Sequence, residues 1–345
     1  MIGINGLGRI GRLAARRLAL QAPGLLRAIN DPADIDTLVH LLRYDSVHSH
    51  DPLVVTGETR AIPGSPVGSV QDFLVIEGQP IPLYHAKDPG EIPWESASVN
   101  LVVESSGRFV KREDAARHLR DGVSHVIISA PSPDPDFTVI LPVNGAELDP
   151  TRHRVISNAS CTAHATAPML LVLEQAFGIQ ASTMSTVHVA TNDQRLVDAP
   201  HTDLRRARAA MIGIHPTTSS AFGAMKKAMP WLRSDFDGWA LRVPTLSVNL
   251  VDLTATVKRA VTVEEVNDAF RQASQGHLKG ILGISEAPLV SCDFTGREES
   301  VVMDLDLTRV LGGRFLKVFG WHDNEIAYAA RLVELVRHLA SRNNN

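Results

Sequence analysis

Ile2-Gly3-Ile4-Asn5-Gly6-Leu7-Gly8-Arg9-Ile10-Gly11-Arg12 is the stretch that decides the fold. Ile2 to Ile4 reads as a short strand, and the sequence from the glycines to Leu20 as a helix stopped by Gln21-Ala22-Pro23-Gly24. Leu25 to Ile29 is a second strand ended by Asn30-Asp31, with Asp31 twenty residues past Gly11 (31 − 11). Each glycine answers a different steric demand. Gly6 allows a tight turn, Gly8 lets a pyrophosphate approach the backbone, and Gly11 lets helix and strand pack closely. The helix start then faces the pyrophosphate, and the Asp31 carboxylate can hold a ribose 2′-hydroxyl. A glycine pattern alone serves packing as often as binding. Strand, turn, helix and spaced acid together make a dinucleotide fingerprint.

Further apolar runs follow at 101–103, 126–128, 139–141 and 155–156, with a helix-like stretch from Lys111 to Leu119. Such runs separated by helices predict a parallel sheet covered on both faces. Ser105-Ser106-Gly107 and Ser129-Ala130-Pro131 follow strand ends, the edge where such sheets take ligands; they can equally be ordinary loop residues. The second half alternates instead, over 182–189, 246–257 and 299–307, with Gly312-Gly313 as a hairpin turn before Phe315. That pattern predicts a largely antiparallel sheet with one face on a core. Glu325 to Leu339 is apolar at helical spacing, and Asn343 to Asn345 are expected to fray. The fold class is therefore α/β: a Rossmann-type doubly wound parallel sheet plus a mostly antiparallel α+β domain.

With 345 residues the chain exceeds what one core normally fills, about 250–300 residues, so two domains are expected. A net charge of −4 gives no electrostatic footprint for nucleic acid or an anionic membrane, and no apolar run approaches a spanning helix. Met1 to Asn5 shows no leader pattern, and two cysteines suit a reducing compartment, so a cytoplasmic location is expected.

Of those cysteines, Cys292 lies in a strand-like alternation, 289–294, and reads as structural. Cys161 sits in Ser157-Asn158-Ala159-Ser160-Cys161-Thr162, between an apolar strand and an Ala/Leu/Met helix closed by Gly178. Unsatisfied N–H groups and the helix dipole favour thiolate there. A lone cysteine is more often buried packing, but the polar surroundings of this one point to a nucleophile.

These stretches, with Leu42-Arg43-Tyr44-Asp45-Ser46-Val47-His48, Arg242-Val243-Pro244-Thr245, Leu278-Lys279-Gly280-Ile281-Leu282 and Asp323-Asn324-Glu325, resemble the phosphorylating glyceraldehyde-3-phosphate dehydrogenase family from Ile2 to about Ala340. The resemblance implies a NAD-binding domain over 1–160, completed by a terminal helix over 324–345, and a catalytic domain over 161–323. It also implies a homotetramer and an S-shaped loop at 190–213 lining a neighbour's cofactor site. It makes Cys161 the nucleophile and His188, 27 residues later (188 − 161), its activating base. The aldehyde's phosphate would be held by Thr191, Asp193 and Arg242, and inorganic phosphate by Ser160, Thr162, Arg208, Ser219 and Ser220. Arg205 and Arg206 read as a solvated or intersubunit charged face. The cofactor set is Gly6, Gly8, Arg9, Ile10, Gly11, Asp31, Lys87, Ser105, Ser106, Ser129, Asn324 and Tyr328, and no metal is implied.

Several positions depart from the family pattern. Ala163-His164-Ala165 replaces Thr-Asn-Cys, so His164 either perturbs the nucleophile or faces the core. Ser219-Ser220 replaces Thr-Gly, and without glycine's φ freedom the phosphate loop is expected to shift and bind inorganic phosphate less well. Ala327 replaces a glycine and Lys87 an adenine-side arginine. Asp31 favours NAD, whereas Ala199 in place of leucine eases entry of NADP as a secondary cofactor. Three readings follow: the phosphorylating enzyme, a relative acting on another phosphosugar aldehyde such as erythrose 4-phosphate, and an inactive NAD-binding regulatory paralogue.

Overall fold

The computed structural model describes residues 1–48, 53–62, 64–66, 68–120, 122–232 and 236–342; the tail for which fraying is expected lies outside them. Packing divides the chain into two units. One holds residues 1–139, 147–159 and the chain from Ala329 onward; the other holds 140–146 and 160–328.

The first unit is built on a nine-stranded sheet, ordered β3-β4-β5-β2-β1-β6-β7-β9-β8. Its strands are β1 (Ile2–Asn5), β2 (Leu26–Asn30), β3 (Val55–Ala61), β4 (Val70–Ile76), β5 (Gln79–Tyr84), β6 (Leu101–Glu104), β7 (His125–Ile128), β8 (Phe137–Thr138) and β9 (Val155–Ser157). From β5 to β8 every neighbour pair is parallel. β1, β6, β7 and β9 are buried at every residue, as strands covered on both faces must be. Helix α1 (Arg9–Gln21) turns Leu13, Ala14, Ala15, Leu18 and Ala19 inward. α2 (Ile35–Arg43) is capped by Asp34, whose carboxylate accepts from Thr37 N–H. The predicted helix at 111–119 is a single turn, α3 (Arg112–Ala115), followed by a 3-10 turn over Ala116–His118.

One expectation fails in this sheet. The strand predicted at 139–141 does not form: the pairing residues are Phe137 and Thr138, and Leu141 opens a short helix, α4 (Leu141–Asn144), with Pro142 in its first turn. Val139 and Ile140 are apolar because they are buried, not because they are extended. The antiparallel set β3-β4-β5 was not foreseen either.

At the ligand edge of this sheet a buried polar network ties three strand ends together. Trp94 can only donate, so the Nδ1 of His118 accepts from it at 3.1 Å and the Nε2–H donates to Glu104 Oε2 at 2.9 Å. Asn5 Nδ2 donates to the same oxygen at 2.5 Å, and Asn30 donates to Asn5 Oδ1. Glu104 Oε1 accepts both the N–H and the hydroxyl of Ser106.

The second unit is built on a seven-stranded sheet, ordered β11-β12-β10-β13-β16-β15-β14. It comprises β10 (Ile179–Val189), β11 (His215–Thr217), β12 (Asp237–Val243), β13 (Asn249–Val257), β14 (Leu282–Ser285), β15 (Val301–Leu311) and β16 (Phe315–His322). The pairs are antiparallel except β10 with β12 and β14 with β15. Gly312 and Gly313 both have positive φ in the β15–β16 turn, as the sequence requires. The helices are α5 (Cys161–Phe177), α6 (Ala221–Ala228) and α7 (Val263–Gln275), which opens on a Thr262/Glu265 capping box. α8 (Ile326–Arg342) ends the described chain. Cys292 lies on a 3-10 turn, Ser291–Phe294, and is exposed, so neither the strand nor a packing role holds for it.

Glu104→Gln sets a new amide donor against the donors Asn5 Nδ2 and His118 Nε2, and Asn5 cannot flip without losing Asn30. The substitution is expected to cost about 1–3 kcal/mol, read as a thermal midpoint lower by a few degrees. An unchanged midpoint contradicts the network's role.

Candidate active site

Cys161 is the first residue of α5. Ala159, just before the cap, has a φ of +50°, a left-handed conformation that costs an alanine roughly 1–2 kcal/mol. Ser160 caps the helix by accepting from Ala163 N–H at 3.1 Å. The half-buried Cys161 Sγ lies 3.9 Å from His188 Nε2 and 4.0 Å from Thr162 Oγ1. The position of His188 follows from sheet register: it pairs with Arg242 across the parallel β10–β12 ladder, so both side chains leave the same face. Arg242 Nη1 donates to His188 Nδ1 at 2.7 Å, to the Val189 carbonyl at 3.1 Å and to Thr191 Oγ1 at 3.3 Å.

Burial pushes the Cys161 thiol up, against the pull of Thr162 and Arg242. Burial, and then Arg242, push His188 well below its ordinary value. Both shifts arise chiefly from desolvation, which opposes the charged forms and so works against the helix-start effect.

The anion-binding residues need two corrections. Arg208 does not reach the 217–220 loop: it pairs with Asp198 at 3.0 Å and its side chain is 70% exposed. The guanidinium at that loop is Arg206, 19% exposed, which was read as a solvated face. Its Nε donates to Thr217 Oγ1 at 3.0 Å and its Nη2 to the Thr218 carbonyl at 3.1 Å, while Nη1 pairs with Asp193. Ser220 also overturns its expectation. It caps α6 at φ −68° and ψ −9°, a right-handed conformation open to any residue, so glycine's freedom is not needed. Ser219 Oγ accepts from Ala221 N–H at 3.2 Å.

Asn249 was not singled out by the sequence. Its buried Oδ1 accepts from Val189 N–H at 2.9 Å, fixing the peptide beside His188. Val248 precedes it at φ +67°, strained for a β-branched residue. Only the three-dimensional arrangement carries this signal. His164 is buried and packs edge-on against Tyr328, with ring centroids 5.8 Å apart, which is the core-facing alternative.

The glycine turn fits a dinucleotide. A Cβ on Gly6, which has φ +94°, would lie 2.6 Å from Ser106 backbone, and one on Gly11 would lie 2.0 Å from the Gly6 carbonyl. A Cβ on Gly8 would meet nothing within 4 Å, leaving open space at the uncapped start of α1, where Arg9 and Ile10 begin the helix. Asp31 is held by Leu7 N–H at 2.7 Å and Ala33 N–H at 2.9 Å, one per oxygen, so lone pairs remain for hydroxyls. The buried Ser105 Oγ and Asn324 Oδ1 have no hydrogen-bond partner among the described residues, as expected of groups that meet a ligand. Ser129 N–H donates to the Glu104 carbonyl, Arg9 pairs with Asp45 at 2.7 Å, and Lys87 is exposed. Among the described residues, no group of three or more His, Cys, Asp or Glu could hold a metal ion.

Residues 1–112 match the family model described as glyceraldehyde 3-phosphate dehydrogenase, NAD binding domain, and residues 160–324 match the C-terminal domain of the same family. Glyceraldehyde-3-phosphate dehydrogenase of Geobacillus stearothermophilus is 47% identical over 344 residues, covering 99% of this chain and 98% of that protein. Glyceraldehyde-3-phosphate dehydrogenase 1 of Bacillus cereus is 45% identical, with 99% and 98% covered. The Streptomyces coelicolor enzyme of the same name is 44% identical, with 97% and 96% covered. With both domain models matched and full-length relatives at this identity, the chain belongs to the glyceraldehyde 3-phosphate dehydrogenase family.

Proposed function

We propose that the chain is a NAD-dependent oxidoreductase that converts glyceraldehyde 3-phosphate and inorganic phosphate to 1,3-bisphosphoglycerate. The observation that carries this reading is the Cys161–His188–Arg242 set, assembled within one unit by a helix start and a sheet register. Cys161 Sγ attacks the aldehyde carbon, and its proton passes to His188 Nε2 and on to the new hydroxyl. His188 then takes that hydroxyl proton as the carbon loses hydride, leaving a thioester on Sγ. NAD supplies the hydride acceptor. An oxygen of inorganic phosphate attacks the thioester carbon, the C–S bond breaks, and Sγ recovers its proton from His188.

Arg242 and Thr191 are suited to the aldehyde's phosphate, with Asp193 orienting Arg206. The second anion falls to Arg206, Ser219, Thr162 and Ser160. A different phosphosugar substrate would draw its support from an altered phosphate loop, and the ordinary backbone of Ser220 speaks against such an alteration. Asp31 supports NAD over NADP, because a 2′-phosphate would face its carboxylate. A homotetramer is supported by apolar side chains left in the open on the 190–214 segment, among them Leu204, 80% exposed, and Ile212, 86% exposed. Domain boundaries near Ser160 and Asn324 and a cytoplasmic location complete the reading.

Cys161→Ser is expected to abolish NADH formation while NAD binding persists, and His188→Asn to slow turnover roughly 10²–10⁴-fold; near-normal activity of the serine enzyme would overturn the mechanism. Arg206→Ala should raise the KM for inorganic phosphate about tenfold or more, from the loss of one charged hydrogen bond of about 1.5–3 kcal/mol. Arg208→Ala should leave it within about twofold on the same scale, and the reverse pattern would restore Arg208 to the site. Replacing Ser219-Ser220 by Thr-Gly should not lower the phosphate KM. A severalfold drop would mean that the serine pair does impair the loop.

A further inference from the structure

We propose that His215 and Gln194 are positioning residues for the aldehyde's phosphate: together they brace the turn that presents Thr191 to Arg242. The inference rests on the functional reading above and concerns two buried side chains to which that reading gives no role. Beyond the end of β10, residues 191–194 form a turn closed by Gln194 N–H on the Thr191 carbonyl at 2.9 Å. The Gln194 side chain folds back on the same residue, and its Oε1 accepts from Thr191 N–H at 3.3 Å. That bond settles which way the amide points. A backbone N–H can only donate, so the amide oxygen faces Thr191 and the Nε2 hydrogens face His215 Nδ1, 3.1 Å away. Nδ1 is therefore the acceptor, and the ring proton sits on Nε2.

Sheet register supplies the fixed end of the brace. His188, Arg242 and His215 lie in one row across β10, β12 and β11, so the three side chains share a face. The His215 ring lies against Gly213, where a Cβ would come within 2.9 Å of its Nε2. Gly213 has no positive φ, so its lack of a side chain serves the ring and not the backbone. The cation and the hydroxyl suited to the phosphate thus take their places from neighbouring strands. Arg242 comes directly from β12, and Thr191 is held through Gln194 by the ring on β11. Arg242 Nη1 donates to Thr191 Oγ1 at 3.3 Å, which leaves the hydroxyl's own proton for an anionic oxygen. Without the brace the turn loses its one side-chain hold on Thr191 N–H, and the hydroxyl loses its fixed aim.

The test is steady-state kinetics with glyceraldehyde 3-phosphate and, in parallel, with unphosphorylated glyceraldehyde. NADH formation by the wild-type enzyme from glyceraldehyde 3-phosphate checks the functional reading by itself, and its absence sinks that reading and the brace together. Given that activity, His215→Leu and Gln194→Met should each raise the KM for glyceraldehyde 3-phosphate about three- to tenfold, the scale of one neutral hydrogen bond, with kcat within about twofold. The double variant should be no worse than either single one, because the two side chains act as a unit. All three should keep kcat/KM for unphosphorylated glyceraldehyde within about twofold, which also shows that they are folded. His215→Asn should restore the KM, since its Oδ1 offers Gln194 an acceptor in place of Nδ1. An unchanged KM in either single variant, additive losses in the double one, or an equal loss with unphosphorylated glyceraldehyde overturns the brace. Independently of any variant, ¹⁵N NMR of the wild-type His215 ring should show the proton on Nε2 and a bare Nδ1; a proton on Nδ1 overturns it as well.

Discussion

The pairing of β10 with β12 is the constraint on which the candidate site depends. Parallel register sets His188 opposite Arg242, and a slip of one residue would send either side chain to the other face of the sheet. The register is held by flanking pairs along seven residues of each strand and by the antiparallel neighbour β13. β13 in turn begins with Asn249, which fixes the Val189 peptide. His188, Arg242 and the Val189 carbonyl are therefore placed by sheet geometry. Cys161 is brought to them by the start of α5.

The first unit uses rigidity differently. Gly6 and Gly11 are required because backbone passes where a Cβ would be, so the turn between β1 and α1 is set by close approach. The Glu104 network then joins that turn to the ends of β2 and β6 through Asn5, Asn30 and Ser106. A carboxylate suits this position because four donors converge on it, and an acceptor-only group answers all of them. The buried charge is offset by these donors and would be costly without them.

How much of this the sequence reveals depends on how local each cause is. The glycine turn, the Asp31 spacing, the helix start at Cys161 and the β15–β16 hairpin are local, and they are legible in the sequence. β3 buries only Val55, and β5 carries Pro80 and Pro82, so neither shows the alternation that marks a strand. α7 displays its capping box in Thr262 and Glu265, yet its polar composition hides it from a search for apolar runs. The arginines were the hardest part. Arg205, Arg206 and Arg208 are equivalent in composition, and only the path of the 190–214 segment decides which one meets Thr217. Ser220 failed for a related reason: whether a position needs glycine depends on its φ, and a helix start supplies an ordinary one.

The central claim is that oxidation passes through a thioester on Cys161 that inorganic phosphate resolves. Intact-protein and peptide mass spectrometry tests it most directly, with the enzyme mixed with glyceraldehyde 3-phosphate and NAD in phosphate-free buffer and quenched in acid. The account predicts one phosphoglyceroyl group per chain, on the peptide carrying Cys161, that disappears when inorganic phosphate is added before the quench. NADH accumulation with Cys161 unmodified, or an adduct that phosphate does not discharge, would contradict it.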